Sequence, residues 1–228
     1  MNLYEKKTGF TLAEVLITLG IVGIVAAITI PNLIVNNKAR VLRSKFLKSY
    51  STLSQMMKLI ENDDVILDTT LSKNLIKYLP GATFKNSTAG TGNVNSDDPF
   101  FYWGNEAYKT YSGKVNASKN VFDDGQYALQ DGSLLLLEWD EAHFPVGTRN
   151  WISVDLNGYN NGPNRWGVDL FTFQIVDGRM VAMGDEGTSF TDLSKYCDKN
   201  SNDIHNGIAC THLAKTDSEY FKKAVRLK

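Results

Sequence analysis

Between residues 10 and 37 only one side chain is ionisable, Glu14, and Thr11 stands three residues ahead of it. T-x-x-E before an apolar run is the spacing of a capping box, in which hydroxyl and carboxylate satisfy the open amides of a helix start. The same carboxylate carried into hydrocarbon is costly, so it also calls for a positively charged partner. Cys197 and Cys210 enclose 12 residues, with His205 and His212 close by. Two chemistries are open to them: a disulfide, worth about 3 kcal/mol for a loop of that size in the chain-entropy model, or a Cys2His2 zinc site. Their spacing fits no common zinc motif. A third cluster is D-L-N-G-Y-N-N-G-P-N-R-W-G-V-D over residues 155–169, where Asp155, Asn157 and Asp169 are candidate Ca2+ ligands. It starts Asp-x-Asn as calcium loops do, but Gly158 arrives fourth rather than sixth and no Glu closes it. The alternative is a run of turns in which Gly and Asn take positive φ and Pro163 fixes a corner.

Catalytic chemistry has no such foothold. G-x-S-x-G, G-x-x-x-x-G-K and H-E-x-x-H are all absent. His143 is solitary within Glu141-Ala-His143-Phe-Pro145, and Asp140 and Glu141 form no marked pair. The expectation is a protein that is not an enzyme and needs no organic cofactor.

The elements that must carry these residues fit one domain plus an appendage in 228 residues. A composition of 43% hydrophobic and 21% charged residues is that of a folded protein, and a net charge of -1 gives nucleic acid no electrostatic reason to bind. Hydrophobicity is concentrated at one end. The run from Phe10 exceeds the roughly 20 residues that cross a bilayer as a helix, and it is too long, without an A-x-A site at Pro31-Asn32, for a secretory signal peptide. Pro31 lacks an amide hydrogen, which predicts a kink or local melting over 29–32. Beyond it Leu42, Phe46, Leu53, Met56 and Ile60 form one helical stripe, continued by Ser49, with Arg43, Lys45, Lys48 and Lys58 largely off it. The helix should stop near Glu61-Asn62-Asp63-Asp64. Leu71, Leu75 and Leu79 suggest a further weak helix ended by Pro80-Gly81, and 83–98 reads as a surface loop. Strand signals follow at 133–138, 151–156, 170–176 and 180–183, the last two flanking the Asp177-Gly178 hairpin turn. Such a meander of about four antiparallel strands needs an apolar cover, and the helix stripe supplies one. At the end of the chain, Tyr220, Phe221, Val225 and Leu227 mark a short amphipathic helix.

Taken together, Lys6-Lys7-Thr8-Gly9-Phe10-Thr11-Leu12-Ala13-Glu14 resembles the processing site of type IV prepilins and type II secretion pseudopilins: a short basic leader, Gly, then Phe-Thr-Leu and a Glu fifth after the cut. The resemblance implies that a prepilin peptidase cleaves between Gly9 and Phe10 and N-methylates Phe10. Pro31, twenty-second after the cut, falls where that family places a helix-kinking proline. Glu14 would pair with the N-terminal amine of a neighbouring subunit. The implied fold is α+β and pilin-like, a long N-terminal helix on the sheet, divided into a cleaved leader (1–9), a transmembrane and assembly helix (10–36), its continuation on the sheet (37–62) and a globular domain (63–228). The implied partners are other pilin or pseudopilin subunits, prepilin peptidase, an inner-membrane assembly platform and membrane lipid. The chain would sit in the inner membrane with its C-terminal domain extracytoplasmic, then enter a periplasmic pseudopilus or surface pilus.

Two readings of that role differ. One is a structural filament subunit; the other is a minor or tip subunit acting as a membrane-anchored binding module, for adhesion or DNA uptake, through residues 86–98 or 155–169. Charge bias alone would orient the chain the other way, since Lys38, Arg40, Arg43, Lys45 and Lys48 outnumber Lys6 and Lys7. An extracytoplasmic domain, as the resemblance implies, makes the disulfide the expected fate of the two cysteines.

Overall fold

Seven side chains along one helix face, Ala39, Leu42, Phe46, Leu53, Met56, Met57 and Ile60, are buried, most of them three, four or seven residues apart, and they decide where the first helix docks. The computed structural model describes residues 9–64, 77–86, 108–118, 121–122, 124–139 and 150–227. Its first element, α1 (Leu12–Asn62), is 51 residues long. The helix ends in the polar stretch expected to stop it: the Asp63 amide bonds back to Leu59 O, and Asp64 turns to φ 51°. Asp63 Oδ2 then accepts from Lys77 Nζ (2.9 Å) and Tyr78 OH (3.1 Å), fastening the helix end to the segment before the sheet.

Pro31 does not melt the helix, which runs unbroken through 29–32. Proline withholds the amide that would reach Ala27 O. Around the gap, side chains bond to neighbouring carbonyls: Thr29 Oγ1 donates to Val25 O (2.8 Å) and Asn32 Nδ2 to Ile28 O (3.3 Å).

Among the described residues the sheet has six strands rather than about four: β1 (Thr83–Asn86), β2 (Gly125–Ala128), β3 (Leu134–Trp139), β4 (Asn150–Asp155), β5 (Leu170–Val176) and β6 (Arg179–Ala182). They pair antiparallel in chain order, a pure meander. β3 to β6 lie where the pattern put them. The two added strands are short, and β1 occupies residues read as loop; TFKN shows no apolar alternation and is held by pairing to β2. Asp177 (φ 48°) and Gly178 (φ 72°) both take positive φ, the geometry a two-residue hairpin of matching twist requires.

Alternation along the strands sorts two cores. Leu135, Leu137, Ile152, Val154, Phe171, Phe173 and Ile175 point to the α1 stripe. Phe46 sits at the junction, 4.9 Å from the Phe171 ring and 5.7 Å from that of Phe221. The intervening residues Leu134, Leu136, Trp151 and Leu170 join Trp166, Phe122, Met183 and Ile208 in a second cluster. The sheet is therefore buried on both faces, where the patterning had supplied a cover for one. The second cover is irregular chain, which carries no periodicity to read.

Three short helices close the chain: α2 (Leu193–Tyr196), α3 (Cys210–Thr216) and α4 (Tyr220–Ala224). In α4, Tyr220, Phe221 and Ala224 are buried while Val225 and Leu227 pack beside them. Tyr220 OH donates to Gly167 O (2.6 Å). Gly167 has φ 75°, and a Cβ there would meet Tyr111 at 2.7 Å and Cys210 at 2.9 Å, so only glycine allows this approach.

Candidate functional site

Among the described residues, nothing buries the amino-terminal half of α1. Phe10 is 90% exposed, the large apolar side chains from Leu12 to Ile34 stay exposed, and Ala39 is the first buried residue of the helix. By length and composition α1 can cross a membrane. Gly9 and Phe10 precede the helix and are exposed, so the bond between them lies in non-helical chain. Thr11 caps α1 with extended backbone, and both halves of the capping box form. Glu14 Oε2 accepts from the Thr11 amide and from Thr11 Oγ1, both at 2.8 Å, while the Glu14 amide donates to Thr11 Oγ1 at 3.2 Å. Both bonds converge on one carboxylate oxygen. Among the described residues Oε1 takes none, which leaves an acceptor on the flank of an exposed apolar helix.

The second candidate lies at the base of β4 and β5, whose register sets Asp155 opposite Leu170 and so brings Asp155 and Asp169 to one end of the sheet. Both carboxylates are fully buried. Asp155 Oδ1 accepts from the amides of Asn157 (3.2 Å) and Gly158 (3.0 Å), and Oδ2 from Tyr108 OH (3.0 Å). Asp169 Oδ1 accepts from the Arg165 amide (2.7 Å) and Oδ2 from that of Asn164 (3.0 Å). Asn157 Nδ2 donates to Asn161 O (2.6 Å) and Gly162 O (3.1 Å), and Asn164 Nδ2 to Tyr159 O (2.8 Å). Burial, then the neighbouring Asp169 charge, pushes the Asp155 carboxyl up to about 6. Burial also raises Asp169, and burial followed by the Asp155 charge lifts the Tyr108 phenol well above its ordinary range.

The structure thus draws Asp155, Asn157 and Asp169 together and adds Asn164. The amide oxygens Asn157 Oδ1 and Asn164 Oδ1 are buried and accept no hydrogen bond. An all-oxygen set with acceptors left over fits a hard cation such as Ca2+ and offers nothing to softer metals. Among the described residues no group of three or more His, Cys, Asp or Glu is placed to hold a metal, because half of this set is amide. Tyr108 carries no sequence signal, lying 47 residues from its partner Asp155. Asn164 was legible only as a turn residue.

Cys197 and Cys210 are joined in a disulfide. Zinc is excluded from that pair, since both thiols are consumed, and His212 Nδ1 bonds Asp185 Oδ1 at 2.5 Å instead. His143, Asp140, Glu141, the leader through Thr8 and most of 86–98 lie outside the described residues.

Residues 6–30 match the family model described as the prokaryotic N-terminal methylation motif. No curated protein and no solved structure matches the chain. The match marks this N-terminus as a type IV pilin- or pseudopilin-type substrate of prepilin peptidase, and the exposed apolar helix it opens is suited to membrane anchoring.

Proposed function

From a chain with this type IV prepilin-like start, we propose a structural subunit of a type IV pilus or type II secretion-type pseudopilus, cut between Gly9 and Phe10, N-methylated on Phe10 and polymerised through α1. The observation that carries the reading is the division of one helix: residues 39–60 are built into the domain, while the large apolar side chains from Phe10 to Ile34 have no cover among the described residues. Bilayer covers such a face before assembly, and the helices of neighbouring subunits cover it in a filament. Glu14 supplies the selectivity. Before cleavage its carboxylate is held by the Thr11 box; cleavage creates a cationic amine on Phe10, and Glu14 would accept from that of a neighbour. An ion pair formed away from water is favourable only with good geometry, which makes assembly conditional on cleavage.

Two further observations support an extracytoplasmic domain. A disulfide persists in oxidising compartments. Two of the cations that bias the charge count serve the fold: Lys45 Nζ donates to Leu156 O (2.9 Å) and Lys48 pairs with Asp131 (2.6 Å).

Mass spectrometry of the mature chain should find it beginning at N-methylated Phe10. Glu14→Ala should still be cleaved yet enter no filament, and antibody should label filaments along their length. A mature chain that keeps its leader, or filaments formed equally well by Glu14→Ala, would refute the proposal.

A further inference from the structure

Six cations and no acid lie between Val15 and Ile60: Lys38, Arg40, Arg43, Lys45, Lys48 and Lys58. The whole chain carries a net charge of -1, so the rest of it is acidic. Helices that face water commonly set Glu against Lys four residues on, and this stretch has no Glu to set. Two of the cations are tied to the domain, Lys45 at Leu156 O and Lys48 at Asp131. Lys38, Arg40 and Arg43 are exposed, and among the described residues none of the three forms an ion pair; Arg40 Nη2 donates to the neutral Asn37 Oδ1 (3.1 Å).

These three stand where the exposed apolar half of α1 gives way to the docked half. From Leu12 to Ile34 the helix rises about 34 Å, enough for a hydrocarbon core of about 30 Å. With Ile34 at the edge of that core, Lys38 follows about 6 Å further on and Arg43 about 13 Å. The polar layer of one leaflet is about 5–8 Å deep. Helical side chains tilt toward the N-terminus of their helix, so these long stems lean back toward the bilayer. Around the axis Lys38 and Arg40 stand about 200° apart, and Arg43 about 60° from Arg40. The buried Ala39, Leu42 and Phe46 fall between Lys38 and Arg43. A single partner helix would meet one face, whereas cations on several sides suit a surface that surrounds the helix.

We infer that Lys38, Arg40 and Arg43 form a collar that binds the head-group phosphates of anionic phospholipids where α1 leaves the membrane. The inference rests on the membrane-anchoring reading of α1 and adds the class of lipid and the residues that select it. Guanidinium forks take phosphate oxygens in pairs, and each cation near an anionic surface is worth about a factor of five in binding. The acidic remainder of the chain is repelled by the same surface, so attraction confined to the collar sets the depth of α1 and holds the domain clear of the bilayer. Lys58, exposed on the same helix, lies about 30 Å beyond Lys38, well past a Debye length of about 10 Å, and takes no part.

The test reconstitutes the full-length protein into phosphatidylcholine vesicles containing phosphatidylglycerol. Spin-labelled forms of the two lipids report which is held in the shell around the protein. Averaged over the whole span, the collar should enrich phosphatidylglycerol at least about twofold at low salt, and high salt should erase most of the gain. Replacing all three residues, Lys38→Gln, Arg40→Gln and Arg43→Gln, should remove at least about half of the enrichment without moving the urea midpoint, because the side chains are exposed. Lys6 and Lys7 stay in every variant, so the difference isolates the collar. Arg40→Lys with Arg43→Lys should keep the enrichment, and Lys58→Gln should leave it unchanged. Equal shells for the two lipids, or a triple variant that behaves as the unsubstituted protein, would overturn the inference. So would a Lys58→Gln loss as large as that of the triple variant. A triple variant that keeps its lipid shell but loses self-association in the membrane would assign the collar to a second copy of the chain, and overturns it too. Carbonate extraction of the same vesicles separates the two readings: protein that washes out refutes membrane anchoring and the collar together, while protein that stays without enrichment refutes the collar alone.

Discussion

Replacing Phe46 by alanine tests whether α1 is part of the domain core or merely lies on it. Phe46 is fully buried, and its ring meets Phe171 at 4.9 Å edge-on, Phe173 at 5.8 Å stacked and Phe221 at 5.7 Å tilted. Those partners come from β5 and α4. The first is paired on both sides in the sheet, and the second follows the disulfide-linked helix α3, so neither can readily collapse into the space a lost ring would leave. Removing a buried Phe costs about 3–5 kcal/mol, with the poorly collapsing sites at the upper end. That is a large part of the roughly 5–15 kcal/mol that holds a domain together. Urea unfolding of the detergent-solubilised protein, followed by tryptophan fluorescence, reads the loss. Trp151 and Trp166 report from the opposite face of the sheet, so a shift in their transition means that the whole domain has weakened. With a slope of about 2–3 kcal/mol per molar urea, the midpoint should fall by about 1–2.5 M with the slope unchanged. Phe46→Leu, which leaves a smaller cavity, should cost less than Phe46→Ala. Leu47→Ala, one residue on and 45% exposed, should cost no more than about 0.5 kcal/mol. A loss below about 1 kcal/mol for Phe46→Ala, or one no larger than that of Leu47→Ala, would refute the docking of α1. A reduced slope would show that the sheet unfolds without the helix.

Two smaller perturbations probe the fastenings around that core. Burial alone would raise the Asp131 carboxyl, but hydrogen bonds from Lys48 and Ser133 outweigh it and bring it down to about 2. A depressed carboxyl stabilises the fold above its unfolded value near 4, and that contribution fades as pH falls from about 4 to about 2. Because the side chains of Lys48 and Asp131 are 63% and 33% exposed, Asp131→Asn should cost well under about 1 kcal/mol at neutral pH. It should also flatten the acid limb of the stability curve, so superimposable acid limbs would count against the pairing. Reducing the Cys197–Cys210 disulfide, with its sequence separation of 13, should cost about 3 kcal/mol. Urea midpoints with and without dithiothreitol measure this, and a change below about 1 kcal/mol would mean that the two segments stay in register without the bond.

Chemistry between residues three or four apart is written in the sequence, because helix geometry makes such residues neighbours before any tertiary structure exists. Thr11 with Glu14, the stripe from Leu42 to Ile60 and the polar stop after it were legible for that reason, as was the turn at Asp177-Gly178, where backbone sterics admit few residue types. The leader and the Gly9-Phe10 junction are equally local. The tertiary structure decided what depends on register and burial. β1 and β2 are strands because β3 pairs β2 and β2 in turn pairs β1, and their own residues are too few and too mixed to insist. The second sheet face is covered by irregular chain, so Trp166 and Phe122 could not be assigned to a core by period. In the 155–169 loop the residue types suggested either turns or a cation. Only the fold, by closing Asp155 and Asp169 against Tyr108 and burying the Asn157 and Asn164 oxygens without donors, showed which acceptors remain: a hydrogen bond's worth depends on what else can reach it, and reach is set in three dimensions.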